Sequence, residues 1–109
     1  MKAKPVIIAG KDFPVKYGFA ALRAFSDATG TTLGELGSLG ESMTITQAIA
    51  LVWAGLKDGA RVTKIDFNFS IDDVADLLDE DDKAMEKVLA VFAESLAGNN
   101  KKKQSKVKK

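Results

Sequence analysis

TITQAIALVWAGLKDG, residues 44–59, is the stretch around which the chain is organised. Thr44 and Gln47 have the spacing of a capping box, in which each side chain accepts a hydrogen bond from the other residue's amide at a helix start. Apolar side chains follow on nearly every face, and Gly59 is placed as the left-handed residue that ends a helix. We therefore predict a helix at about 44–58 that is buried all round.

This apolar helix is too short to cross a membrane. Met43 to Leu56 is 14 residues, whereas a membrane-spanning helix needs roughly 20. Val6 to Ala9 supply only four apolar residues near the N-terminus, fewer than the roughly 7–15 of a secretory signal. We expect no membrane contact and a cytoplasmic location.

The residues ahead of the central helix predict a β-hairpin at about 5–17. Val6-Ile7-Ile8 is a β-branched run, the Gly10 region supplies a turn, and a second extended piece runs from Phe13 to Tyr17. Pro14 has no amide hydrogen to donate, which restricts the second strand to an edge position.

Other segments also carry helix signals. Phe19, Leu22 and Phe25 recur at helical spacing before Gly30, and Ser70 is placed as an N-cap with Asp73 three residues on. The predicted helices lie at about 18–29, 71–79 and 82–97, and a Gly-rich connector with a Thr32–Glu35 capping box precedes the central helix.

These elements define the predicted fold class, which is mainly α (α+β). A small N-terminal β-hairpin precedes a compact bundle of three main helices plus short helices. We expect one globular domain at residues 1–98 and a disordered Lys-rich tail at 99–109, because the tail is too polar and self-repelling to pack.

Charge is distributed in blocks, and the chain has neither histidine nor cysteine. Residues 1–65 hold 8 basic and 5 acidic side chains, residues 66–94 hold 2 and 10, and residues 95–109 hold 6 and none. The residue types that most often catalyse reactions near neutral pH or bind transition metals are missing. We expect a protein that is not an enzyme and that uses no cofactor or metal.

Three motifs resemble chemical sites without meeting their requirements. Asp79 to Asp82 is a run of carboxylates, but it sits where one helix ends and the next begins, where Asp favours capping positions. Asp66 to Asp72 imitates a calcium loop, yet Ile71 and Leu77 stand where glycine and the bidentate glutamate are needed. The glycines at 34, 37 and 40 lack the spacing of a dinucleotide-binding loop.

Four stretches together resemble small tail assembly chaperones of long-tailed bacteriophages and prophages. They are IAGKDFPVKYGFAALR at residues 8–23, ATGTTL at 28–33, AIALVWAGL at 48–56 and DDVADLLD at 72–79. The similarity covers most of residues 6–97 and does not include the tail. It implies a non-catalytic protein of the infected bacterial cytoplasm that binds the tape-measure protein and tail-tube subunits, with self-association or several copies on one client.

A long helical client exposes an apolar seam before tube subunits surround it, so a chaperone needs an apolar groove. We place the partner-binding surface on the Gly-rich connector and its neighbours, at Leu36, Leu39 and Met43. Trp53 is a further candidate anchor, although a tryptophan in the middle of an apolar helix is more often part of the core.

The alternative function is a small nucleic-acid-associated or regulatory protein that uses the Lys-rich tail. Six lysines between Lys101 and Lys109 favour polyanions. The tail has no aromatic residue for base stacking and no arginine for bidentate base contacts. We therefore expect weak nucleic-acid binding at most.

Overall fold

The computed structural model describes residues 3–39 and 42–95, and it has the predicted fold of an N-terminal antiparallel hairpin followed by helices. The end of the predicted last helix at 96–97, the predicted domain end at Gly98 and the tail at 99–109 lie outside the described residues. Two strands and five helices occur within the described ranges: β1 Lys4–Ile8, β2 Lys11–Val15, α1 Phe19–Thr29, α2 Leu33–Leu36, α3 Ile45–Thr63, α4 Ile71–Glu80 and α5 at 84–95.

A two-residue turn joins the strands of the hairpin. Ile8 pairs with Lys11, and the intervening Ala9 and Gly10 both have positive φ angles, of 50° and 81°. Such turns match the right-handed twist of paired strands, which explains why glycine occupies one of the two positions. Val6, Ile8 and Val15 point into the core.

Helix boundaries mostly follow the predicted signals. Gly30 ends α1 in the left-handed conformation, and Thr32, Thr44 and Ser70 each start a helix with a complete capping box. These predictions are confirmed. In each box the cap hydroxyl and the side chain three residues on accept amide hydrogens that the helix itself leaves unpaired.

The predicted end of the central helix at Gly59 is wrong, because α3 continues to Thr63 and ends at Lys64 with a φ of 60°. Gly59 instead allows β2 to pack closely on α3. A Cβ at this position would lie 2.0 Å from the Pro14 carbonyl oxygen. This glycine therefore serves tertiary packing, which helix-end statistics do not reveal.

Two predictions about apolar residues also need correction. Phe19 belongs to the apolar series at the start of α1, yet it is 88% exposed, because Ala21 and Phe25 set the inward face. The expectation that the central helix is buried all round fails at Ile45, which is 67% exposed in the first turn. The last helix begins at 84, two residues later than predicted.

The core forms where the hairpin docks on α3. The Lys16 amide donates to the Gly55 carbonyl at 3.1 Å, and the Tyr17 hydroxyl donates to the Leu51 carbonyl at 2.7 Å. Tyr17 lies so close to Gly55 that a Cβ there would be 2.4 Å from the ring. Its ring also meets Phe92 of α5 edge-on, with centroids 5.1 Å apart.

Among the described residues, no helix has both the length and the apolar character required to span a bilayer.

Candidate functional site

An open apolar groove lies between the start of α3 and the exposed side of α5. Its volume is about 580 Å³. We call it the α3–α5 groove, and the residues that line it are Leu39, Ser42, Met43, Thr44, Ile45, Ala48, Met85, Leu89, Phe92 and Ala93. The connector supplies one wall and two helices supply the others.

The α3–α5 groove is mostly apolar, and Ser42 and Thr44 are its polar lining residues. None of its lining residues within the described ranges carries a charge. Met43 and Met85 are half-buried, and the flexible thioether side chain of methionine adapts to different apolar shapes. Such a surface suits apolar contact with another polypeptide and offers no group that activates a nucleophile or binds a metal.

The local sequence explains the shape of this groove. The Thr44–Gln47 capping box fixes where α3 begins, with Thr44 Oγ1 accepting from the Gln47 amide at 3.0 Å. That start leaves Ile45 on the surface beside the groove. On α5, Met85, Leu89 and Phe92 recur at the spacing of one helix face.

The structure brings together two of the four predicted partner-binding residues. Leu39 and Met43 both line the α3–α5 groove, although Leu39 is only 3% exposed and forms part of its floor. Leu36 packs against the core without lining the groove. Trp53 lies elsewhere, where its indole N–H donates to the Phe69 carbonyl at 3.0 Å and Lys57 Nζ is 4.9 Å from the ring centre.

The wall formed by α5 was not predicted as a binding surface. Its residues Met85, Leu89 and Phe92 belong to the apolar seam that predicted this helix. Their spacing alone assigns them to the core, because periodicity does not tell how much of a seam a neighbour covers. Two methionines far apart in the sequence, Met43 and Met85, meet at the groove.

The acidic corner at Asp79 to Asp82 has a structural role through Asp81. Asp81 accepts hydrogen bonds from the Ala9 amide at 3.0 Å and the Lys83 amide at 3.1 Å. These two amides, with the positive charge of Lys87, lower the pKa of the Asp81 carboxyl. Across the described ranges, no three acidic side chains are grouped closely enough to hold a metal ion.

A buried carboxylate, Asp58, links three parts of the chain. It accepts from the Gly18 amide at 3.2 Å and from Arg61 Nη2 at 2.8 Å, while Lys16 Nζ lies 3.7 Å away. Gly18 is the N-cap of α1 and has no side chain to accept the first amides of that helix. Asp58 of α3 accepts from the amide of Gly18 itself, a bond that the third helical residue supplies in a capping box. Nearby, burial raises the pKa of the Tyr17 hydroxyl.

The chain matches no protein-family model, no curated protein and no solved structure.

Proposed function

We propose that this protein is a phage tail assembly chaperone, which covers apolar helical surface on the tape-measure protein before tail-tube subunits enclose it. The α3–α5 groove is the observation that carries the proposal, because it is open, apolar and free of charge among its described lining residues. The resemblance of residues 6–97 to such chaperones supplies the client. The work takes place in the host bacterial cytoplasm and involves no covalent chemistry.

Binding follows the helix-in-groove mode. The apolar stripe of a client helix lies against Met43, Met85 and Leu89, and its polar face stays in water. A single contact of this size is weak. Several chaperone copies on one long client add avidity without new kinds of contact, and tail-tube subunits displace them as the tube grows.

The proposal is tested by co-expressing the chain with the tape-measure protein of a long-tailed phage or prophage and purifying the complex. The variant Met43→Gln/Met85→Gln makes the groove polar at nearly constant side-chain volume. We expect capture of the client to fall about tenfold or more, since apolar contacts at the centre of an interface dominate its affinity.

The matched control is Ile7→Gln/Leu33→Gln, which makes the same kind of change at two exposed apolar residues outside the groove. It should capture the client as the parent protein does. Circular dichroism must show the same helix content in all three proteins. Equal capture by both variants, or a gene far from viral structural genes, contradicts the proposal.

The Lys-rich tail favours the second candidate, a nucleic-acid-associated protein. Deleting residues 99–109 removes all six tail lysines. DNA binding that falls steeply with salt and disappears with this deletion supports that alternative. Client capture that survives the deletion supports the chaperone.

A further inference from the structure

A second groove lies between α1 and α3, on a different part of α3 from the first. Its volume is about 480 Å³, and we call it the α1–α3 groove. Residues 20, 23, 24 and 27 of α1 line one side, and residues 54, 57, 58 and 61 of α3 line the other. Both series follow the same helical face for about two turns, or roughly 10 Å.

The floor of the α1–α3 groove is made of small apolar side chains. Ala20, Ala24 and Ala54 leave room for another chain to approach the two helices closely. Ile65 lines the same groove and is 54% exposed. Phe19 lies one turn before Arg23 on the same side of α1 and adds a large exposed ring.

Three cations and two carboxylates line this groove, so its formal net charge is +1. Arg23, Lys57 and Arg61 all line the groove, and all three are exposed to solvent. The buried Asp58 carboxylate already accepts hydrogen bonds from Gly18 and Arg61, and Asp27 is exposed, 4.0 Å from Arg23. Most acidic side chains lie elsewhere, since residues 66–94 hold ten of the fifteen.

We propose that the α1–α3 groove binds an acidic amphipathic helix of a partner protein. Apolar side chains of that helix contact the alanine floor and Ile65, and its glutamates or aspartates lie beside Arg23 and Lys57. A surface made by two helices presents ridges and grooves that accept a third helix. This site is distinct in residues and charge from the α3–α5 groove and does not depend on the function proposed for it.

Charge and shape favour an acidic helix over nucleic acid. A continuous phosphate backbone would have to pass Asp27 and Asp58, whereas a helix can place its few carboxylates beside Arg23 and Lys57 alone. The aromatic rings described at this site are Phe19, which lies outside the groove lining, and Phe67, which is half-buried, so successive bases would have no continuous row of rings to stack on. A helix with spaced carboxylates and an apolar stripe matches both the separated cations and the alanine floor of the groove.

The test uses a fluorescein-labelled synthetic peptide of about 18 residues, roughly five helical turns. It carries leucines along one face and glutamates on either side, and binding to the full chain is followed by fluorescence anisotropy. Two comparison peptides replace all glutamates with lysine or all leucines with alanine. Trp53, the only tryptophan, gives a second readout because Lys57 lies against its ring.

The test variant is Arg23→Glu/Lys57→Glu, and the control is Lys11→Glu/Lys83→Glu, which makes the same charge change outside the groove. We expect the test variant to bind the acidic peptide at least about tenfold more weakly, and the control to change affinity less than about twofold. Neither comparison peptide should bind as tightly as the acidic peptide, and added salt should weaken binding of the acidic peptide.

Several results overturn the proposal. They are no saturable binding at millimolar peptide, equal losses in the test and control variants, and equal affinity for the peptide that lacks leucines. Tighter binding of a DNA duplex that is lost in the same test variant assigns the groove to nucleic acid instead. Circular dichroism of both variants checks that the fold is unchanged.

Discussion

Gly55, Asp58 and Gly59 connect the hairpin to α3 by three different means. Gly55 accepts a backbone hydrogen bond from Lys16 and makes room for Tyr17. Gly59 lets the Pro14 carbonyl lie against the helix, and Asp58 binds the Gly18 amide. Glycine lowers the helix propensity at both positions but permits close packing. The role of each glycine therefore depends on the residue that packs against it.

Replacing Gly59 with alanine should destabilise the fold by roughly 1–3 kcal/mol or more, the usual cost of overpacking. The added Cβ would lie 2.0 Å from the Pro14 oxygen and 2.8 Å from the Val15 nitrogen, and both are backbone atoms. Urea unfolding measures the change. Gly34→Ala is the control, since nothing lies within 4 Å of its Cβ position. An unchanged midpoint for Gly59→Ala would show that β2 is not packed as described.

Replacing Asp58 with alanine should lower the free energy of unfolding by about 1–3 kcal/mol, because the Gly18 amide loses its acceptor and Lys16 loses its ion-pair partner in a mostly buried place. Arg61 is exposed enough to turn to water, which limits the loss. Asp27→Ala, at an exposed pair with Arg23, should change stability by less than about 0.5 kcal/mol. Similar losses in the two variants would contradict this role of Asp58.

At the scale of elements, the sequence predicted the features that depend on residues within one helical turn. It did not predict the features that depend on a distant part of the chain. The capping residues Thr32, Thr44 and Ser70 were predicted because a cap acts within one turn. The contact between Gly59 and the Pro14 carbonyl joins residues 45 positions apart, and no local pattern encodes it.

The same difference between local and long-range features applies to the residues of the α3–α5 groove. Leu39 and Met43 were predicted from a Gly-rich connector that precedes a helix. Met85, Leu89 and Phe92 were recognised as an apolar seam, but its partial exposure depends on how α5 lies against the connector. Exposure is a property of the assembled fold, and spacing along one helix does not determine it.

Removing the cap of the central helix by Thr44→Ala should destabilise the protein by about 1 kcal/mol, because the Gln47 amide loses its acceptor. Thr44→Ser keeps the hydroxyl oxygen and should recover most of the loss. Thermal unfolding followed by circular dichroism measures both. A serine variant as unstable as the alanine variant would show that the hydroxyl is not the stabilising group.

Acid should weaken the link between the hairpin turn and the start of α5. The Ala9 amide, the Lys83 amide and the Lys87 charge lower the pKa of Asp81, so its ionised form is favoured in the folded state. The stabilisation is therefore complete above the ordinary pKa of 3.8 and is lost as the pH falls through the lower folded value.

The variant Asp81→Asn lacks this titration. The difference in urea midpoint between parent and variant should be largest near about pH 6 and shrink toward about pH 3. Asp79→Asn serves as control at a neighbouring exposed carboxylate. A difference that stays constant across this range would mean that Asp81 acts through shape and not through charge.

At the scale of the molecule, one hydrophobic core joins the hairpin to the helices. Val6 and Val15 of the strands, Phe25 of α1, Leu51 of α3 and Val88 of α5 belong to the same buried cluster. A single shared core of this size unfolds as one unit. The two grooves then form on opposite ends of the same element, since α3 supplies Ile45 to one and Arg61 to the other.

Unfolding in urea should therefore follow one transition. Far-UV circular dichroism reports the helices, and fluorescence reports the packing around Trp53, whose indole donates to the Phe69 carbonyl. The two curves should have the same midpoint and slope. Fluorescence that changes at distinctly lower urea would mean that the segment between α3 and α4 separates before the rest of the core.

Docking of the hairpin on Gly55 and Gly59 has a consequence for the order of events on the ribosome. The hairpin ends at Val15 and α3 begins only at Ile45, and an isolated two-stranded hairpin is marginally stable in water. The nascent chain therefore holds Val6, Ile8 and Val15 in solvent until α3 has emerged. The time needed to translate the intervening connector sets how long those side chains stay exposed, and a pause placed there should increase the demand for cellular chaperones.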